Sequence, residues 1–236
     1  MRRLRTADFV PSAPREPSEG PENGLEPPNA AKTVPSADMP PVSESLIVVT
    51  GLPRSGTSML MQMLAAGGAS VLSDSSRAAD EDNPRGYLEF EPVKNLLNDS
   101  RFLMDARGKA IKIVTPLLAA LPPGLPCRVI LCERNLEEVL DSQERMLARR
   151  NPAASAALDR RRTLKSEYQR TLNRVKEMLA QRPGTELLVI EHGLTISDPL
   201  ATAARINRFL GGGLDVPRMA VAIDPALHRN RATTPR

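Results

Sequence analysis

Short runs of apolar, β-branched residues alternate along this chain with longer segments whose apolar positions recur at helical spacing. Residues 45–50, SLIVVT, are apolar on both faces, the pattern of a central parallel strand. Residues 57–66, TSMLMQMLAA, are good helix formers and apolar nearly all round, which predicts a buried helix with its methionines packed in the core. Residues 69–73, ASVLS, fit a short second strand. Residues 74–88 are polar and contain Asn83-Pro84 and Gly86, so they form a long loop. Glu91-Pro92 opens a short helix to about Asn98. Residues 110–114, AIKIV, form a strand, and 116–121 a short helix stopped by Pro122-Pro123.

Residues 128–133, RVILCE, are the next strand. Asn135 then caps a helix, with Glu138 three residues on in a capping-box arrangement, and the helix runs to about Arg149 before Pro152 breaks the pattern. A long helix rich in Arg and Lys covers 154–181, and 186–191, ELLVIE, is a further strand. Asp198-Pro199 starts a helix whose apolar face runs from Ala201 to Leu210, and Gly211 to Gly213 end it as a cap and turn, not as a second nucleotide loop. No internal repeat is present. Strands alternating with helices predict an α/β fold: a mostly parallel sheet with helices on both faces, and ligands at the carboxyl ends of its strands.

Composition divides the chain. Residues 1–44 hold nine prolines, many Ser and Glu and few apolar residues. Such a stretch cannot bury enough surface to offset its ordering entropy, so it is expected to be a disordered tail. The α/β domain is expected over 45–227, and 228–236 as a flexible basic tail. The formal net charge of +4 is modest, Trp is absent, and no Lys/Arg block is interleaved with aromatics, which argues against a nucleic-acid partner. Cys127 and Cys132 lie five apart in an apolar run, the pattern of buried free thiols in a reducing compartment, and no metal site is expected. Arg2, Arg3 and Arg5 are followed by Asp8 and Pro11, not by an apolar stretch, and no run is long enough to span a bilayer. A cytoplasmic protein is the expectation. The oligomeric state is not legible.

The strongest chemical signal is Gly51-Leu-Pro-Arg-Ser-Gly-Thr-Ser58, set between a buried strand and a helix. Backbone N–H groups of such a loop converge, the helix N-terminus adds partial positive charge, and together they cradle a phosphate. The loop differs from the ATPase form, in which Lys directly follows the second Gly. Thr57 stands there, and the cation is Arg54, earlier in the loop. That favours a donor with no β–γ phosphate chain and no obligatory Mg²⁺.

Pro53, Arg54, Ser55, Gly56, Thr57 and Ser58 resemble the 5′-phosphosulfate loop of the sulfotransferase superfamily, most closely its arginine-bearing bacterial and tyrosylprotein-type form. Arg134 and Ser142, within ERNLEEVLDS, are similar to that family's 3′-phosphate signature, an Arg ending a strand and a Ser eight residues later. Ser142 lies about two helical turns past Asn135, on the side of the helix start, so both groups can face one phosphate. Asn83-Pro-Arg-Gly-Tyr-Leu-Glu89, Glu191-His-Gly-Leu194 with Asp198-Pro199, and Val221 to Arg229 extend the resemblance to about residues 45–231. It implies a fold like that of the P-loop-containing nucleoside triphosphate hydrolases, and 3′-phosphoadenosine 5′-phosphosulfate (PAPS) as co-substrate with no metal required. Arg54 would lie against the 5′-phosphate and sulfonate.

The chain also departs from the family. Cytosolic members carry Lys-Thr-His on a strand, where this chain reads Lys112-Ile-Val114. The tyrosylprotein type uses a Glu followed two residues later by Arg; aligned without gaps from the loop, these fall on Ser75 and Arg77. The Gly-rich loop that binds the 3′-phosphate and adenine in cytosolic members is missing, with Arg229 or Arg231 as stand-ins. The reaction implied is sulfonyl transfer to an acceptor hydroxyl or amine, with Arg54 and Lys112 stabilising charge on the leaving group. Glu89 and Asp74 are candidate bases, and each has a plain alternative: Asp74 as a turn or cap residue, Glu89 as a solvated carboxylate. Two other functions fit the loop. One is a nucleotide or small-molecule kinase, and the other a non-catalytic nucleotide-binding scaffold of the same fold. His192 and His228 have no evident partner in sequence, and the acceptor is unknown.

Overall fold

A computed structural model describes residues 39–74, 83, 86–150 and 158–224. Four parallel strands form the sheet: β1 (Leu46–Gly51), β2 (Ala110–Lys112), β3 (Cys127–Glu133) and β4 (Thr185–Glu191), in the order β2-β1-β3-β4. The described helices are α1 (Thr57–Ala66), α2 (Phe102–Asp105), α3 (Leu136–Arg150), α4 (Leu158–Gln181), α5 (His192–Ser197), α6 (Pro199–Phe209) and α7 (Val216–Val221).

The sheet is covered on both faces because its central strands are apolar on both. Ile47 and Val49 of β1 pack with Leu60, Met61 and Met63 of α1 and with Ile206 and Phe209 of α6. Leu46 and Val48 face the other way, toward Leu103 of α2, Leu118, and Val175 and Leu179 of α4. The methionine stripe is thus core at Met61 and Met63, both fully buried.

Several expectations need correction. The strand expected over 69–73 is a single parallel bridge, Val71 to Ala110. Gly67-Gly68 precede it and the polar loop begins at Ser73, so too few residues remain for a ladder. The helices expected from Glu91 to Asn98 and over 116–121 are 3-10 turns, Glu91–Asn95 and Thr115–Ala120. Asn135 does cap α3, its Oδ1 accepting from the Glu137 amide at 2.9 Å, but Glu138 does not close a capping box. Its carboxylate accepts from Arg134 Nε at 2.8 Å instead. A charged donor outcompetes a neutral amide for a carboxylate. Asp198 caps α6 as its sequence predicts, accepting from the Ala201 amide. The start expected for the long helix, residues 154–157, lies outside the described residues, as do most of residues 1–44 and 228–236.

One contact extends the fold upstream of the expected boundary at Ser45. Buried Arg128, 3.5 Å from Glu186, donates to the Phe209 carbonyl at 2.8 Å and to the Pro40 carbonyl at 3.1 Å. Ser45 Oγ donates to the Pro40 and Pro41 carbonyls. None of the described helices is long and apolar enough to cross a membrane.

Candidate active site

Four strands that run parallel deliver four segments to one edge: the loop after β1, Lys112 at the end of β2, Arg134 after β3 and His192 after β4. A cavity of about 540 Å³ opens there, with these groups and Glu89 in its walls.

Gly56 closes the loop with φ 107°, a conformation that glycine adopts without strain. Arg54 holds φ 71°, which is costly for a residue with a Cβ. The first amide of α1 to find a backbone carbonyl is that of Leu60, on Gly56 at 3.2 Å, so the amides of Thr57, Ser58 and Met59 head the helix at the cavity wall. Ser55 behaves differently from its neighbours. It is 1% exposed, its hydroxyl is packed under the loop against Gly51, and its amide donates to Leu52 O. Cys132 Sγ donates to the Ser55 carbonyl at 3.0 Å from beneath. Burial pushes that thiol up to about 12, the nearby Arg134 charge opposing only in part, so Cys132 is a neutral support.

The helix α3 holds the loop from the side. Arg54 Nε donates to Ser142 Oγ at 2.9 Å, Arg134 Nη1 donates to the Arg54 carbonyl at 3.3 Å, and Gln143 Nε2 donates to Pro53 O at 3.3 Å. Tyr168 of α4 donates to Gln143 in turn. The next turns of α3 offer Glu137, Asp141 and Glu144 to Arg161 of α4, at 2.8, 2.7 and 3.0 Å. Hydrogen bonds from Lys165 and Arg161 hold the Glu137 carboxyl below its ordinary range. Arg134 and Ser142, expected to face one phosphate together, both contact Arg54 of the loop. Arg134 lines the cavity, whereas Ser142, 4% exposed, is turned onto Arg54.

On the opposite wall Lys112, 8% exposed, donates to the Tyr87 carbonyl at 2.8 Å and to Ser58 Oγ at 3.3 Å. Its Nζ stands 3.0 Å from Glu89 Oε1. Glu89 and Asp74, both candidate bases, are backbone neighbours, the Asp74 amide donating to the Glu89 carbonyl at 2.9 Å, and their side chains take different partners. Glu89 faces the cavity; Asp74 is not among its lining residues, and its Oδ2 accepts from the Glu91 amide at 2.7 Å, capping the 3-10 turn. Gln62 donates to Asn83 Oδ1 and Gly86 O, fixing the segment that carries Tyr87 and Glu89. Ser75, Arg77, His228, Arg229 and Arg231 lie outside the described residues.

His192 and Asp224, neither expected as a site residue, also line the cavity. His192 follows the last residue of β4, and Asp224 lies past α7. The rule that ligands sit at the carboxyl ends of parallel strands points to the first of these. Among the described residues no group of three His, Cys, Asp or Glu is placed to hold a metal ion.

A sulfotransferase domain from the Synechococcus PCC 7002 olefin synthase superposes with TM-score 0.51 at 15% identity, over 84% of this chain and 90% of that one. The chain has the sulfotransferase fold. The sulfotransferase STF1 of Mycobacterium tuberculosis superposes equally well, with TM-score 0.51 at 18% identity, over 75% of this chain and 71% of that one. No family model and no curated protein matches the sequence.

Proposed function

We propose that the protein transfers the sulfonyl group of PAPS to an acceptor hydroxyl or amine. The observation that carries this reading is the position of Lys112. Its ammonium lies between a hydroxyl of the phosphate loop, Ser58, and the carboxylate of Glu89. A cation for the leaving group and a base for the acceptor thus stand side by side in one cavity.

The residues fit the donor. The amides of Thr57, Ser58 and Met59 and the Arg54 guanidinium would hold the 5′-phosphosulfate. Arg134, on the neighbouring strand end, would take the 3′-phosphate. As the acceptor oxygen or nitrogen bonds to sulfur, the bond from sulfur to the bridging oxygen breaks. The electron pair then stays on the 5′-phosphate of 3′-phosphoadenosine 5′-phosphate. Arg54 and Lys112 stabilise that growing negative charge, and Glu89 accepts the acceptor's proton. This reading assigns the proton to Glu89 and gives Asp74, which accepts from the Glu91 amide, the role of a cap.

Isothermal titration tests the reading. Binding of 3′-phosphoadenosine 5′-phosphate without Mg²⁺, and more tightly than ATP or GTP, is expected. Mg²⁺-dependent binding of ATP in preference would make the protein a kinase. Turnover of PAPS separates an enzyme from a scaffold.

A further inference from the structure

His192 stands where an imidazole can act on the phosphate loop. It is the first residue past the carboxyl end of β4 and the first of α5, is 6% exposed, and lines the cavity that the loop opens into. Its Cδ2–Nε2 edge is turned toward Gly56. A Cβ at residue 56 would stand 2.6 Å from Cδ2 and 3.5 Å from Nε2, with Cys132 Sγ at 3.3 Å. The glycine therefore serves two ends. It permits φ 107° at the N-cap of α1, and it lets the imidazole approach the loop backbone directly.

An imidazole nitrogen is the one ring atom pair that can donate, and the edge nearest the loop carries Nε2. Donors for an anion gather around it, in a cavity that Glu89 and Asp224 also line. The head of α1 supplies the amides of Thr57, Ser58 and Met59, and Arg54 and Arg134 line the same cavity. The Cys132 thiol beside it stays neutral and brings no competing charge. The segment Glu191-His-Gly-Leu194 belongs to the resemblance but gives this histidine no role, and the parallel course of β4 returns it to the loop.

We propose that His192 binds the donor, its Nε2–H hydrogen-bonding the 5′-phosphate group seated on the 51–58 loop. This rests on the sulfotransferase reading above. His192 would be a binding residue, adding a side-chain donor opposite Arg54 and leaving proton abstraction from the acceptor to Glu89.

The test is titration of the full chain and three variants with 3′-phosphoadenosine 5′-phosphate and with adenosine 3′-monophosphate, which lacks the 5′-phosphate. His192→Phe keeps a ring against Gly56 and removes the donor. It should lose about tenfold to a hundredfold in affinity for the first ligand, the effect of one hydrogen bond to a charged group, and little for the second. His192→Gln places an amide nitrogen near the Nε2 position and should retain most of the affinity. His192→Asn, whose nitrogen falls near Nδ1, should not. Full affinity in His192→Phe, equal losses for both ligands, or equal affinities of the Gln and Asn variants would overturn the assignment. The Gln and Asn pair decides the matter if the Phe variant does not fold. Failure of the wild-type chain to bind 3′-phosphoadenosine 5′-phosphate would overturn the reading beneath it instead.

Discussion

Arg54 Nε donates a 2.9 Å hydrogen bond to Ser142 Oγ, and this contact ties the phosphate loop to the middle of α3. The pairing joins two motifs that lie far apart in sequence and that each suggest a phosphate. We infer from it a role for Ser142 that spacing alone does not reveal, orienting the Arg54 side chain. Ser142→Ala should then weaken adenosine 5′-phosphosulfate and 3′-phosphoadenosine 5′-phosphate alike. A loss of about threefold to tenfold is expected for one half-buried hydrogen bond. Titration with both ligands reads the outcome. A loss confined to the ligand with a 3′-phosphate would return Ser142 to that phosphate.

The two carboxylates suggested by the sequence belong to backbone neighbours whose side chains take different partners, and that makes them separable by mutation. Glu89 pairs with Lys112 in the cavity wall, and Asp74 caps a 3-10 turn outside it. Glu89→Gln should lower kcat by about a hundredfold or more, the usual contribution of a general base, with KM for the donor little changed. Asp74→Asn, which preserves a cap, should keep wild-type turnover. Asp74→Ala should cost about 0.5–2 kcal/mol of stability, as lost caps do, and this shows in thermal unfolding. Wild-type kcat in Glu89→Gln would move the base elsewhere.

The local features of this fold were legible, and the long-range ones were not. β1, the loop and α1 follow from an apolar run, two glycines and a run of helix formers, and α1 spans the expected residues, Thr57–Ala66. A parallel sheet follows from the alternation of elements. What no local pattern reveals is which of two nearby carboxylates faces a cavity, or that Glu138 bonds Arg134 in preference to its own helix start. Nor does it show that His192 lies on Gly56. The last depends on the crossover that returns β4 beside β3, whereas Arg134 and Glu138 are only four residues apart and their pairing depends on which donor wins the carboxylate. The short helices α2, α5 and α7 carry four to six residues, too few for a helical period to stand out from chance.

The amino-terminal boundary of the domain can be measured by two deletions. Removing residues 1–38 should leave the melting temperature nearly unchanged, since that stretch is rich in proline and poor in apolar residues. Removing residues 1–43 takes away the Pro40 carbonyl that accepts from buried Arg128. A buried donor without its acceptor costs about 1–3 kcal/mol, and each kcal/mol lowers Tm by about 2–4 °C in a domain of this size. The longer deletion should therefore melt several degrees lower. Equal melting temperatures would mean that water replaces the carbonyl without cost.

Donor choice is the property on which a sulfotransferase and a kinase differ most, and Arg134 is where it can be tested. PAPS and its product carry a 3′-phosphate that ATP lacks, and a kinase has no use for a second phosphate site. Arg134→Ala alone would mislead. Arg134 and Glu138 form a largely buried pair, with side chains 9% and 12% exposed at 2.8 Å, and removing one partner strands a buried carboxylate. The clean comparison is Glu138→Gln against Glu138→Gln with Arg134→Ala, since the amide leaves no charge behind. Loss of a charge-assisted hydrogen bond should weaken 3′-phosphoadenosine 5′-phosphate about tenfold to a hundredfold in the double variant. Adenosine 5′-phosphosulfate, with no 3′-phosphate, should lose only what the Arg134 bond to the Arg54 carbonyl contributes, a smaller effect. The ratio of the two affinities, measured by titration in each variant, isolates the 3′-phosphate from any general loosening of α3. An unchanged ratio would remove the second phosphate site, leaving the β1–α1 loop and the Lys112–Glu89 pair as the remaining support for sulfonyl transfer.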